Sequence, residues 1–230
     1  CWQSINDIQG NMLNFLENHD EQRIASDFFA GNGFNAIPAM IVSACMNTNP
    51  VMVYFGQEFG EPGMDTEGFS GRDGRTTIFD YWSVDSIRRW RNGGKFDGKL
   101  LSNEEKKLQQ FYTTLLNLCN TEDAIRQGEF FDLTYVNLEG WMFNEHKQYA
   151  FLRKCKDELL LIVVNFDGMP ARPGIKIPQH AFEYLQIPVK PSYEATDLLN
   201  GKTEELSMAP DQHTHVQLEA YSGKILKIKL

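Results

Sequence analysis

The feature that most constrains the fold is a change of texture within residues 13–23, Leu-Asn-Phe-Leu-Glu-Asn-His-Asp-Glu-Gln-Arg. An apolar, β-prone run at 12–16 breaks abruptly into packed carboxylate, amide and imidazole groups, and a helical pattern is expected from Glu21 with Ile24, Phe28 and Phe29. A strand that delivers polar side chains at its C-terminal end is the arrangement in which α/β barrels and open α/β sheets place their chemistry. His19 and Asp20 are therefore the first candidates for a functional pair. The plainer alternative is that Asn18 or Asp20 caps the following segment, since a short polar acceptor satisfies free amides in a first turn.

The neighbouring residues complete a strand, helix, strand unit. Ile37, Met40, Ile41, Ala44 and Cys45 recur at helical spacing, predicting an amphipathic helix over 34–47. Val-Met-Val-Tyr-Phe at 51–55 is wholly apolar, as a strand covered on both faces is, and it ends in Gly56-Gln-Glu58-Phe-Gly60. This reads as a βαβ unit. Residues 61–99 lack periodicity and are dense in Gly, Asp, Arg and aromatics, and a loop of that length in a compact domain is usually functional. Ser102 and Glu105 have capping-box spacing, opening a helix whose buried side carries Leu108, Phe111, Tyr112, Leu115 and Leu116.

From residue 128 the texture becomes short β-prone segments at 130–138, 149–154, 159–166, 174–177, 193–197, 213–218 and 223–230. Asp167-Gly168, Pro173-Gly174 and Asn200-Gly201 mark turns between them. An antiparallel β-sandwich over 128–230 is predicted, following an α/β segment over 1–127. Trp141 and Tyr149 are expected to pack in its core rather than form a glycan platform.

Charge narrows the partners. A net charge of -9 and a pI near 5.1 leave no basic stripe for nucleic acid and no polybasic patch for an anionic membrane. No apolar run approaches the roughly twenty residues that span a bilayer, and the N-terminal residues lack a signal-peptide layout, which leaves the compartment open. Cys1, Cys45, Cys119 and Cys155 have no C-x-x-C spacing, so buried thiols are expected rather than zinc ligands or a disulfide framework. His213 and His215 share a strand face without a third ligand, so exposed histidines are expected and no metal site is assigned.

Three stretches carry a family resemblance. Phe15-Leu-Glu-Asn-His-Asp20 resembles the strand-seven motif of α-amylase-type enzymes of glycoside hydrolase family 13, with Arg23 where the extended motif often has arginine. Pro50-Val-Met-Val-Tyr-Phe-Gly-Gln-Glu-Phe-Gly60 resembles the strand-eight segment, and Arg75-Thr-Thr-Ile-Phe-Asp-Tyr-Trp82 is similar, more loosely, to the loop that follows it. The resemblance implies the last two strands and helices of a (β/α)8 TIM barrel and then the antiparallel domain that closes such enzymes. It implies a parent that hydrolyses or transfers α-glucosidic bonds of starch-like glucans with retention.

In that scheme Asp20 is the carboxylate that stabilises charge at the reacting sugar, and His19 hydrogen-bonds the same sugar. Asn18, Arg23, Phe79, Tyr81 and Trp82 are further substrate-binding candidates, whereas Glu58 and Arg75 brace the site, Arg72 and Arg75 pairing with Asp65, Asp73 or Asp80. The resemblance puts the nucleophile and general acid upstream of Asn-His-Asp, and the nucleophile motif Gly-x-Arg-x-Asp occurs nowhere in the chain. The chain alone is therefore expected to be inactive. It is expected to need the N-terminal remainder of the barrel or a self-association partner, with exposed apolar faces at 12–16 and 34–45. No cofactor is assigned; calcium in the parent is compatible with the family but has no ligands to assign here. The competing reading is a non-catalytic α-glucan-binding or assembly module on the same fold.

Overall fold

The computed structural model describes residues 8–65, 72–79, 84–138 and 140–230. The chain divides into two compact units, residues 1–43 with 49–115 and residues 44–48 with 116–230.

In the first unit the two apolar runs meet at one point. Asn14 and Val51 form a parallel bridge, in which the Asn14 amide donates to the Pro50 carbonyl at 3.0 Å and the Met52 amide to the Asn14 carbonyl at 2.8 Å. The strands expected at 12–16 and 51–55 are thus extended segments joined by a single bridge. A parallel ladder persists where strands are flanked and covered, and here Met12, Leu13 and Phe15 are 37%, 46% and 42% exposed. The helix expected from Glu21 is a run of tight turns instead, the Ser26 amide bonding the Arg23 carbonyl and the Phe29 amide that of Ser26. Phe28 and Phe29 stay exposed, so no buried apolar stripe rewards propagation of a helix.

Helix α1 (Ile37–Cys45) forms within its predicted span. Its face of Met40, Ile41, Ala44 and Cys45 is buried, which corrects the expectation that this face lies open. A short helix α2 (Asp85–Arg91) interrupts the long loop. Helix α3 (Asn103–Thr121) opens on the reciprocal capping box: the Ser102 amide donates to Glu105 Oε2 at 2.7 Å, and the Glu105 amide to Ser102 Oγ at 3.1 Å.

The second unit contains α4 (Asp123–Arg126), β1 (Glu129–Asp132), β2 (Gln148–Cys155), β3 (Glu158–Asn165), β4 (Gly174–Lys176), α5 (Gln179–Tyr184), β5 (Tyr193–Asp197), β6 (Lys202–Leu206), β7 (His213–His215) and β8 (Ser222–Lys229). Six strands make one antiparallel sheet in the order β1-β2-β3-β8-β5-β6, and β4 pairs with β7 in a separate antiparallel ribbon. Leu152, Leu161 and Leu226 lie in cross-strand register and face one core with Ile175 of the ribbon and Phe182 of α5. Strand β1 stops at Asp132, short of the predicted 138, because the Asp132 carboxylate accepts the Thr134 amide at 2.8 Å and turns the chain into a 3-10 turn. Trp141 is 90% exposed, contrary to the expected core packing. Tyr149 is partly buried, its ring 5.5 Å from that of Phe151.

The opposite face of β2 buries an arginine. Arg153 donates to the carbonyls of Ala124, Ile125 and Met46, each at 2.9 Å, and burial of the cation lowers its pKa. Three backbone acceptors from two segments thus depend on one guanidinium. Replacement by alanine strands all three and opens a void, so Arg153→Ala should cost about 3 kcal/mol or more in urea unfolding, while Trp141→Ala should stay within about 0.5 kcal/mol.

Candidate active site

The residues around the Asn-His-Asp segment are held by a buried ion pair. Glu17 and Arg23 are both fully buried, with Arg23 Nη1 2.6 Å from Glu17 Oε1. The second carboxylate oxygen accepts the Ile24 amide at 2.6 Å. Arg23 Nε and Nη2 converge on Thr76 Oγ1 at 2.9 and 2.6 Å, and its guanidinium carbon lies 4.3 Å from the centre of the Tyr54 ring and 4.8 Å from that of Phe55. Such cation–π contacts are strongest away from water. Burial pushes the Glu17 carboxyl up from its ordinary value, and the charge and hydrogen bond of Arg23 oppose that push.

Between these anchors the chain loops outward. Asn18 Oδ1 accepts the amides of Asp20 and Glu21 at 2.8 and 2.9 Å, a side-chain-closed turn. That turn presents His19 and Asp20 to solvent, with side chains 49% and 72% exposed and His19 Nε2 3.3 Å from Asp20 Oδ2. An exposed carboxylate beside an imidazole can accept hydroxyl hydrogens and face developing positive charge.

The other candidate residues fall in different places. Arg23, expected against substrate, has no exposed surface and is wholly engaged by protein groups; its part is to position the turn. Phe79 is 67% exposed, whereas Tyr81, Trp82 and Asp80 lie outside the described residues. Glu58, in the turn Gln57–Phe59, has its Oε2 buried without a hydrogen-bond partner, and burial raises its pKa against the opposing pull of nearby backbone amides and Arg23. The Arg75 amide donates to Asp73 Oδ1 at 3.1 Å, and its Nε is buried without a hydrogen-bond partner. His213 and His215 are exposed, and no cluster of metal-ligating side chains occurs among the described residues.

Two supporting carboxylates escaped the sequence reading. One is Glu17. The other is Glu61, 5% exposed, which accepts Ser86 Oγ at 2.7 Å and the Gly63 amide at 3.0 Å. The only sequence signal for the first is an acid at the end of an apolar run with an arginine six residues on. A cleft of about 440 Å³ lies elsewhere in this unit, between Gly33, Phe34, Arg89, Glu105 and Leu108. Arg89 and Glu105 satisfy each other there, Arg89 Nη2 lying 2.7 Å from Glu105 Oε1, and Glu104 also lines the cleft.

The fold is similar to the C-terminal portion of solved α-amylase chains, whose β-rich region its mostly antiparallel sheet matches. The α-amylase of Anoxybacillus is similar to it with a TM-score of 0.62 at 16% identity, over 99% of this chain and 41% of the amylase. The maltogenic α-amylase of Thermotoga neapolitana gives 0.60 at 14% identity, over 100% and 45%. The α-amylase of Geobacillus thermoleovorans, solved with acarbose, gives 0.58 at 14% identity, over 95% and 39%. The chain therefore spans about two fifths of the length of these enzymes. By sequence alone no family model matches it, and no curated protein matches it.

Breaking the anchor should unseat the turn. Removing one member of a buried pair leaves the other charge uncompensated, so Arg23→Met is expected to cost about 3–5 kcal/mol in urea unfolding, and Glu17→Gln a smaller loss in the same direction.

Proposed function

We propose that this chain is the C-terminal portion of a retaining α-glycosidase of glycoside hydrolase family 13, hydrolysing or transferring α-glucosidic bonds of starch-like glucans. In this reading residues 1–127 close the catalytic (β/α)8 barrel and residues 128–230 form the β-domain that follows it. The observation that carries the proposal is the solvent-facing His19–Asp20 pair, presented by a turn whose flanks are buried and whose preceding segment bridges in parallel to Val51. The likeness to solved amylases, which include one crystallised with acarbose, supports the same class of substrate.

Retaining glycosidases work with two carboxyl groups about 5 Å apart, one attacking the anomeric carbon and one protonating the leaving oxygen. Neither is assigned to this chain. Asp20 would act as a third carboxylate: bonded to sugar hydroxyls, it interacts more strongly as the ring becomes oxocarbenium-like, and only that difference lowers the barrier. His19, oriented by Asp20, would donate to the same sugar. Arg23 and Glu17 fix the backbone from which both project. The exposed apolar residues Leu13 and Phe15 fit a surface that the N-terminal remainder of the barrel covers.

In the full-length parent, Asp20→Asn should lower kcat on soluble starch at least on the order of 10²–10³-fold with the melting temperature retained. Near-full turnover would refute the assignment. The 230-residue chain by itself should release no reducing ends from soluble starch, and release of them would overturn the placement of the nucleophile and acid elsewhere.

A further inference from the structure

Two free thiols meet in the second unit. Cys45 is the last residue of α1, and Cys119 lies in the last turn of α3. Both belong to the unit formed by residues 44–48 with 116–230. The Cys45 thiol is buried and hydrogen-bonds the sulfur of Cys119. Cys119 is half-buried, and its own thiol donates to the Ala44 carbonyl at 3.5 Å. The two residues stand far apart in sequence, so no spacing motif marks them as partners.

The surroundings hold the pair in place. The Met46 carbonyl accepts Arg153 Nη1 at 2.9 Å, and the Tyr149 hydroxyl donates to Met46 Sδ at 3.9 Å. Both donors stand on β2, so the backbone next to Cys45 is fixed against the sheet. Hydrogen bonding also makes the two thiols unlike. Cys45, donating to Cys119 and buried, keeps its proton well above the ordinary thiol range, with the Arg153 cation opposing that rise. The same hydrogen bond draws the Cys119 thiol below its ordinary value.

We propose that Cys45 and Cys119 are a reversible redox pair that closes to a disulfide by exchange with a low-molecular-weight disulfide, Cys119 attacking first and Cys45 resolving the mixed disulfide. The thiolate is the attacking species and it must be reached from solvent, and Cys119 is favoured over Cys45 on both counts. Its sulfur bonds to one sulfur of the reagent as the reagent's S–S bond breaks and one thiolate leaves. Cys45 then gives up its proton, which the released thiolate takes, and attacks the Cys119 sulfur. The second thiolate leaves and takes the proton that Cys119 lost. Two protein thiols are thereby oxidised and one external disulfide is reduced to two thiols. The pair stays open where thiols dominate the redox buffer and closes where disulfides do. This chemistry belongs to the second unit and stands apart from the catalytic reading.

Treatment of the folded 230-residue chain with oxidised glutathione tests this, followed by alkylation with N-ethylmaleimide and non-reducing peptide mapping. The map should show a single new cross-link, Cys45 to Cys119, which dithiothreitol undoes. Cys45→Ser should stop at the mixed disulfide of Cys119 with glutathione, Cys119→Ser should leave Cys45 a free thiol, and Cys155→Ser should still form the cross-link. Closing so long a loop should shift the urea unfolding equilibrium of the wild-type chain on the order of 10²-fold toward the folded state, a shift that dithiothreitol removes.

Should a serine variant fail to fold, the wild-type map decides alone. A cross-link that joins Cys155 or Cys1 instead, or one that forms only in urea, would overturn the proposal. So would wild-type thiols that all remain open to alkylation after the treatment, or glutathione held on Cys119 of the wild-type chain without closure. A folded Cys45→Ser chain that takes no glutathione at Cys119 would overturn the order of attack.

Discussion

The polar segment depends on one buried charge pair. Moving a carboxylate and a guanidinium out of water is costly, and the pair persists only because each group is almost fully satisfied. Glu17 offers one oxygen to Arg23 and the other to the Ile24 amide, while Arg23 adds the Thr76 hydroxyl and two aromatic faces. The partners lie six residues apart, so the residues between them are pinned at both ends and bulge outward. The exposed His19–Asp20 pair is thus placed by buried neighbours rather than by packing of its own.

The same guanidinium organises loops that are distant in sequence. The Arg23 amide donates to the Gly74 carbonyl at 2.6 Å, and the Tyr54 hydroxyl to the Thr76 carbonyl at 3.2 Å. Gly63 passes so close that a Cβ there would sit 2.8 Å from the Gly74 carbonyl carbon and 3.0 Å from Arg23 Cγ. Its φ of +60° and the +80° of Gly74 suit glycine for a second reason. Loss of the ion pair would therefore reach well beyond residues 17–23.

What the sequence made legible were features decided locally. Helices α1 and α3 announce themselves by apolar spacing and a capping box, and β2, β3, β5 and β8 by apolar or alternating runs. Features that depend on distant neighbours were not legible. Residues 12–16 have strand composition, yet a ladder belongs to a pair of strands, and here the pairing amounts to one bridge. Strand β6, Lys-Thr-Glu-Glu-Leu, is polar and becomes a strand by pairing along β5 beyond the Asn200-Gly201 turn. At the site, the identities of His19 and Asp20 could be read, but the burial of Arg23 could not, because Thr76 arrives from fifty-three residues away.

On the proposed function, a surface that merely holds a ligand and a carboxylate at a reacting ring would act on different steps. A stacking surface holds a sugar equally well before and during reaction, so its effect falls on how much substrate is bound and not on the chemical step. A carboxylate facing the reacting ring acts in the opposite way, since its attraction grows as positive charge develops. The latter would need a fixed backbone under a solvated anion, and the buried Glu17–Arg23 pair flanks such a backbone.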